Sequence, residues 1–246
     1  RSGDQSIQDS LPSLTTLVDQ NLVSRLDGDG MPRFTMLETI RAFARERLEA
    51  AGEDAAAQDA HAAFILGLVD RCHPYLASAP EQPDWTATRI EIGEANVRAA
   101  LTWLVATGRA EASLHLAIAL AGAWESRVTP HEGRAWLEWG LANSPETDSV
   151  ARGHALAGLA QMHWLQGQYA QAMRLADASL AIAERLADPG VAADATHVAG
   201  NIALSQHDFV RSRTLMTAAA QSWKQAGHRY LEGQALQVLA GAEHGP

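Results

Sequence analysis

The fold of this chain is decided by the stretch Leu156-Ala-Gly-Leu-Ala160 together with Gly167-Gln-Tyr-Ala-Gln-Ala172, because the same pattern returns 40 residues later. The equivalent residues of the second copy are Thr196, Ala199, Gly200, His207, Phe209 and Ser212, and Leu215 is equivalent to Leu175. A third copy begins at Leu236, Leu239 and Ala240. Self-similarity at this period is typical of a helical repeat array, in which each unit buries its apolar face on its neighbour. Such arrays are usually binding scaffolds, so the pattern favours binding over catalysis.

Helical hairpins are predicted from residue 55 to the end of the chain. Apolar residues recur there at helical spacing, and Pro and Gly residues separate the segments. Because the connections are short, neighbouring helices are expected to pack antiparallel, side by side. The third copy stops after its first helix, and we therefore expect the chain to be a piece of a longer protein. The predicted helices cover residues 55–72, 90–107, 111–127, 131–143, 149–166, 170–187, 190–206, 210–226 and 230–242.

A short β-hairpin between two helices is predicted near the N-terminus. Residues 11–22 have helical spacing, and Val23–Leu26 and Arg33–Met36 are typical of two strands. The Asp-Gly-Asp-Gly run at 27–30 favours a tight turn, since glycine accepts the positive φ that such turns need. A second helix follows and is expected to end at Gly52. Helix, two-stranded wing and helix in this order indicate the end of a winged-helix domain.

These patterns predict an all-α protein, in which an antiparallel helical-hairpin repeat array follows the end of a winged-helix domain with a short β-hairpin. We divide the chain into the winged-helix end at 1–52, connecting helices at 53–110 and the repeats at 111–246. The last repeat is truncated at the C-terminus. Residues 78–88 contain two prolines and few apolar residues, which favours a loop there.

Charge and composition exclude several classes of protein. The net charge of −10 falls in residues 1–150, which hold 12 Arg and 22 Asp plus Glu, whereas residues 151–246 hold seven of each sign. The chain therefore lacks the basic face that binding to nucleic acid needs.

No apolar run is long enough to span a membrane. A single cysteine, Cys72, excludes an intrachain disulfide and fits the reducing cytoplasm. We expect a cytoplasmic protein with no membrane partner, and the charge disfavours nucleic acid as a partner.

Sequence motifs for catalysis, metals and cofactors are missing. A phosphate-binding loop needs Gly-x4-Gly-Lys-Ser/Thr, and the single lysine, Lys224, follows no glycine-rich run. The histidine spacings fit no metal site, and the sequence contains no Gly-x-Ser-x-Gly nucleophile motif. We therefore predict that the chain is not an enzyme and has no catalytic residues, no metal and no cofactor.

A binding groove is predicted from the geometry of the repeats. The first helix of each repeat is expected to line the concave surface, with Leu156, Thr196 and Leu236 as equivalent core positions. Amides in the groove would suit a peptide backbone or a small polar ligand, and an indole would supply an apolar anchor. Core packing is the alternative for Trp164, and an error of one residue rotates every side chain by about 100°. The residues expected to face the groove are His154, Gln161, Trp164, His197, Asn201, Leu204, Gln234 and Gln237.

Three stretches resemble known protein families. The pattern Gly167-x-Tyr169-x-x-Ala172 resembles a tetratricopeptide repeat with lengthened helices or turns. The run Pro32-Arg-Phe-Thr-Met-Leu-Glu-Thr-Ile-Arg-Ala-Phe-Ala-Arg-Glu-Arg-Leu48 resembles the junction after the wing in bacterial STAND-type signalling ATPases, the large LuxR-type and AfsR-type transcriptional regulators. The run Glu94-Ala-Asn-Val-Arg-Ala-Ala-Leu-Thr-Trp103 resembles the helix that opens their repeat region.

This resemblance implies a function for the repeats. In that family an N-terminal ATPase core is followed by a winged helix and a repeat array, and the array holds the ATPase inactive until an inducer or partner binds. The resemblance therefore implies a non-catalytic sensor and protein-interaction scaffold. Its implied partners are a protein or peptide, or a small-molecule inducer, and the upstream ATPase domain of the parent chain.

Two alternatives stay open at this point. A free-standing tetratricopeptide adaptor would have the same groove without any coupling to nucleotide. A DNA-binding winged helix would use Arg25 and Arg33 beside the wing, but Asp27 and Asp29 at its tip oppose contacts with phosphate. The acidic tip therefore favours a winged helix with a structural role over one that binds DNA.

Overall fold

The computed structural model of the 246-residue chain describes residues 12–26, 33–72, 93–126, 130–228, 231–233, 235–237 and 239. The chain divides into two compact units, Arg1–Asp59 and Ala60–Pro246, which are described separately below. The division at residues 52 and 110 stays a prediction. Within the described ranges, no helix is long and apolar enough to span a membrane.

The first unit contains the predicted β-hairpin. Helix α1 covers residues 12–19, and the strands are β1 (Ser24–Leu26) and β2 (Arg33–Thr35). The strands pair antiparallel, with Arg25 opposite Phe34. The hairpin is confirmed, while its predicted turn at 27–30, including Asp27 and Asp29, lies outside the described residues.

Helix α2 (Glu38–Ala51) follows the hairpin and ends as predicted at Gly52, whose φ of 71° places it in the left-handed region. The backbone N–H of Gly52 donates to the carbonyl of Glu49 and that of Glu53 donates to the carbonyl of Leu48, and these two bonds close the last turn. None of the residues of α2 is buried, and the ring of Phe43 is 60% exposed. The apolar face of α2 is therefore largely open within this unit.

In its described residues the second unit consists of helices and the short connections between them, which confirms the predicted fold class. The helices after α2 are α3 (Asp54–Cys72), α4 (Glu94–Ala106), α5 (Ala110–Ser126), α6 (Pro130–Asn143), α7 (Val150–Leu165), α8 (Tyr169–Leu186), α9 (Pro189–Ser205) and α10 (Phe209–Gln225). Helices α7 and α8 form the first hairpin of the repeats and α9 and α10 form the second, and residues 231–233, 235–237 and 239 are also helical.

The ends of the repeat helices carry their own capping groups. The side chains of Ser149, Asp188 and Asp208 accept hydrogen bonds from backbone N–H groups in the first turns of α7, α9 and α10. The turn after α7 uses Gly167 with φ 73°, and His207 occupies the same position after α9 with φ 61°. Histidine is one of the residues that enter this region more readily than most, so the second repeat keeps the same turn without glycine.

The core of the repeats is built around alanines 40 residues apart. Ala155, Ala195 and Ala235 are 0%, 2% and 0% exposed. The predicted core residues lie one position later in each copy. The prediction is wrong for Leu236, which is 51% exposed, and Leu156 and Thr196 are only half-buried. Successive side chains point about 100° apart around a helix, so the face that turns toward the core contains the alanines and not the residues that follow them.

Candidate functional site

The predicted groove residues are mostly enclosed by the helices. His154, Gln161 and Asn201 are 5%, 7% and 6% exposed. Trp164, His197 and Leu204 are half-buried, Gln237 is exposed, and Gln234 lies outside the described residues. His154, Gln161 and Asn201 are more buried than the predicted open groove implies, because the inward face of the helices is shifted by one residue from the expected one. Whether any of these residues binds a ligand stays a prediction.

One group of these side chains joins α7 to α9. His154 Nδ1 lies 2.8 Å from Asp194 Oδ2, and the two side chains are 4% and 14% exposed. The residues are 40 positions apart, so they occupy equivalent places in successive repeats. Asp194 is not among the predicted groove residues, although its position follows from adding one repeat period to His154.

The second oxygen of Asp194 is bound from α10. Trp223 Nε1 donates a hydrogen bond to Asp194 Oδ1 at 3.1 Å, and Trp223 is 2% exposed. A single carboxylate therefore contacts side chains of both hairpins. Because a buried carboxylate needs hydrogen-bond donors to replace water, these two contacts account for its place in the interior.

His197 lies beside the same tryptophan. The ring centroids of His197 and Trp223 are 5.0 Å apart with an angle of 49° between the planes. His197 Nδ1 is buried and has no hydrogen-bond partner among the described residues. Burial lowers the pKa of His197 to about 4, against the opposing effect of Asp194. His197 is therefore neutral at pH 7.

His228 completes this set of side chains after the end of α10. It is half-buried, and burial is the largest cause that lowers its pKa. Asp194 and Asp188 raise the pKa of His228, and His154 lowers it. We call His154, Asp194, His197 and His228 the histidine–aspartate cluster.

A second polar group lies at the other end of the first helices. Trp164 Nε1 donates to Ser205 Oγ at 2.9 Å, and the Ser205 hydroxyl donates to the carbonyl oxygen of Asn201 at 3.0 Å. Gln161 Oε1 is buried and accepts no hydrogen bond from the described residues. A buried amide oxygen without a donor is uncommon in folded proteins, so a donor on a ligand or partner would have a free acceptor here.

In the part of the chain that the structure describes, no three His, Cys, Asp or Glu side chains are placed to hold a metal ion. The histidine–aspartate cluster and the polar group around Trp164 contain imidazole, carboxylate, amide and indole side chains. All of these form hydrogen bonds, and the imidazoles and the carboxylate can also take up a proton.

Comparison with known proteins finds relatives in mycobacteria. No family model matches the chain. It is 29% identical over 232 residues to proteins of Mycobacterium bovis and of two Mycobacterium tuberculosis strains, each named as a candidate HTH-type transcriptional regulator. The match covers 87% of this chain and 25% of each relative, so the chain spans about a quarter of the length of the curated relatives it matches. This similarity and the all-helical repeats fit a transcriptional regulator.

Proposed function

We propose that the chain is the non-catalytic sensor and protein-interaction scaffold of a transcriptional regulator and acts in the cytoplasm. The observation that carries the proposal is the in-register stacking of the repeats, in which His154 contacts Asp194 and Trp164 contacts Ser205. Stacked hairpins of this kind present an extended surface for binding. The similarity to candidate HTH-type transcriptional regulators supports the regulatory part.

The finer proposal is that the regulator is a STAND-type signalling ATPase of the LuxR or AfsR type with tetratricopeptide-like repeats. The resemblance of residues 32–48 and 94–103 to that class supports it. The mechanism would be a population shift, in which a ligand or partner binds one arrangement of the array better than another. The favoured arrangement would then release an ATPase domain elsewhere in the parent protein.

The binding face is proposed to centre on Gln161, with Asn201, Trp164 and Leu204 beside it. Gln161 and Asn201 are 40 residues apart on α7 and α9, so their amides belong to successive repeats. The unpartnered Gln161 Oε1 would accept a hydrogen bond from a peptide N–H or a small polar ligand. The half-buried indole of Trp164 would provide an apolar contact next to it.

Paired capture from native cell extract tests this face. The wild-type chain and Gln161→Met are the baits, and retained proteins and small molecules are identified by mass spectrometry. Because the amide oxygen of Gln161 has no described partner, the methionine variant is expected to fold with similar stability and to lose the ligand. The matched control is Gln221→Met on the exposed face of α10.

Capture tests the binding face, and a separate measurement of ATP hydrolysis tests the sensor role. A molecule held by the wild type and by Gln221→Met but lost by Gln161→Met supports the binding face. Equal retention by all three contradicts it. The coupling to an ATPase is tested in the full-length parent protein, where ATP hydrolysis is expected to change when residues 150–246 are deleted. Unchanged hydrolysis would contradict the sensor role and favour a free-standing adaptor.

A further inference from the structure

The middle of the two first helices contains no ionisable side chain. Residues 155–162 of α7 and 198–205 of α9 consist of apolar residues, glycine, serine and two amides, Gln161 and Asn201. The amide residues are 7% and 6% exposed. Trp164 follows Gln161, and Leu204 follows Asn201, by three positions, which places each apolar side chain on the same helix face as the amide before it. The proposed binding face is therefore uncharged and pairs each amide with an apolar neighbour.

The hydrogen bonds already formed on this face leave an acceptor to be filled. Trp164 Nε1 donates to Ser205 Oγ, and the Ser205 hydroxyl donates to the carbonyl oxygen of Asn201. The indole therefore offers a ligand its ring and no further donor. Gln161 Oε1, by contrast, is buried and accepts no hydrogen bond from the described residues. A buried acceptor of this kind calls for a donor, and the indole beside it calls for an apolar group.

The ionisable groups that border the two stretches carry no charge or have contacts of their own. Burial lowers the pKa of His197 to about 4, so its imidazole is neutral at pH 7. His163 Nδ1 contacts Gln168 Oε1 in the turn after α7. The side chain of Asp208 caps α10 by accepting a hydrogen bond from Arg211 N at 3.0 Å. A ligand ion beside the amides would gain no counter-ion from these groups.

Two further charged groups reach the first helices from either end, and both are engaged. The carboxylate of Asp194 contacts His154 Nδ1 and accepts a hydrogen bond from Trp223 Nε1. Arg134 of α6 reaches the turn after α7, and its Nε donates to Glu138 Oε1 at 2.7 Å. Because each charge already has a partner, neither is set aside for a ligand ion.

We propose that the ligand of this face is neutral and presents an N–H donor next to an apolar group, an inference that rests on the binding face of the proposed function. The N–H bonds to Gln161 Oε1, and the apolar group lies against Trp164 and Leu204. A carboxylate, phosphate or ammonium group would lose its water here without gaining a counter-ion, so the face selects against ions. The backbone of an uncharged peptide and a small free amide share this chemistry.

Three small probes of similar size but different charge test the proposal on the whole chain. At about pH 6.5, N-acetyl-leucine amide is neutral, N-acetyl-leucine is an anion and leucine amide is a cation. Each is titrated into isotopically labelled protein, and the indole N–H resonances are followed by NMR. The resonance of Trp164 is identified by its loss in Trp164→Phe. The neutral probe is expected to shift this resonance and to bind at least about tenfold more tightly than either ion.

Two variants test the acceptor and the absence of charge separately. Gln161→Met removes the acceptor and is expected to weaken binding of the neutral probe by up to about tenfold, the equivalent of one net hydrogen bond. Gln221→Met, on the exposed face of α10, is the matched control and is expected to bind as the wild type does. Leu204→Lys places a cation beside the amides at a half-buried position from which lysine can reach water. This variant is expected to bind the anionic probe more tightly than the wild type does.

The proposal is overturned if either ion binds the wild type as tightly as the neutral probe, or if Gln161→Met binds the neutral probe unchanged. It is also overturned if none of the three probes binds. Capture from cell extract then still decides whether the face binds any molecule, so failure of this ligand class and failure of the proposed function are distinguishable. If a longer, uncharged peptide with acetyl and amide ends binds more tightly than N-acetyl-leucine amide, the N–H comes from a peptide, and equal binding indicates a small amide.

Discussion

Gly153 of α7 and Val191 of α9 lie so close that a β-carbon on Gly153 would stand 2.5 Å from Val191 Cγ1. Both residues are buried, and the carbonyl oxygen of Gly153 also accepts a hydrogen bond from Ser179 Oγ of α8 at 2.8 Å. A side chain at this position would push apart two first helices of successive repeats. The close approach of α7 and α9 therefore depends on glycine at 153.

Gly153→Ala is expected to lower the free energy of unfolding by about 1–3 kcal/mol, as overpacked cores usually do. Urea unfolding measures this change in the free energy of unfolding. Val191→Ala in the same chain should recover part of the loss, because the clashing methyl groups are removed. Gly233→Ala is the matched control, since a β-carbon there meets nothing within 4 Å, and a helical alanine is worth up to about 1 kcal/mol over glycine. Similar losses at 153 and 233 would contradict the packing argument.

The hydrogen bond from Trp164 to Ser205 is expected to couple the repeats by about 0.5–1 kcal/mol, in the range of a net hydrogen bond at a half-buried site. A double-mutant cycle of Trp164→Phe and Ser205→Ala, read by urea unfolding, measures this coupling. The control cycle combines Trp164→Phe with Thr217→Ala, whose hydroxyl bonds to Arg213 within α10. Strictly additive losses in the first cycle would show that the bond does not join the helices.

The bounds of the elements were predictable because their signals are local. Helix α2 ends at Gly52 as predicted, and α7 to α10 begin and end within one residue of their predicted limits. Helix α4 begins later, at Glu94 rather than 90, after Gly93 with φ 75°. Capping groups and breakers act over one turn of chain, so they can be recognised without knowledge of the neighbours.

The inward face of the repeats was not predictable by the same means. Hydrophobicity favours Leu156 over Ala155 as a core residue, but helices that approach closely bury small side chains. The contact of His154 with Asp194 follows from the repeat period, and the period was already known from the sequence. The contact of His197 with Trp223 depends on how the end of α10 lies against α9, and nothing local in the sequence specifies that arrangement.

A β-carbon is expected to destabilise both the turn after α7 and the turn after α8, so adding one at 167 and removing one at 187 should act in opposite directions. Gly167 has φ 73° and Ala187 has φ 53°, so both lie in the left-handed region that alanine enters at a cost of about 1 kcal/mol. Gly167→Ala should lower the free energy of unfolding by about that amount, and Ala187→Gly should raise it by up to about 1 kcal/mol. Thermal unfolding at fixed pH measures both variants. Because a β-carbon at 167 meets nothing within 4 Å, packing cannot account for the difference. A loss of stability in both variants would contradict the backbone explanation.

The ion pair between Arg98 of α4 and Glu132 of α6 is expected to make a pH-dependent contribution to stability. Arg98 Nη2 donates to Glu132 Oε2 at 2.8 Å, and Arg98 Nε donates to Oε1. These hydrogen bonds are the main cause that lowers the pKa of Glu132, followed by partial burial, which opposes them. The pair therefore contributes stability above the ordinary glutamate pKa of 4.5, and this contribution is lost as the pH falls through the lowered pKa.

Arg98→Gln should raise the pKa of Glu132 toward 4.5, measured from the side-chain carboxyl resonance by NMR titration. The accompanying loss of stability at pH 7 should stay below about 1 kcal/mol, because the Arg98 side chain is half exposed and solvent screens the charges. Arg211→Gln on the exposed face of α10 is the matched control and should leave the Glu132 titration unchanged. An unchanged Glu132 pKa in Arg98→Gln would mean that neighbours other than Arg98, such as Trp136, set its charge state.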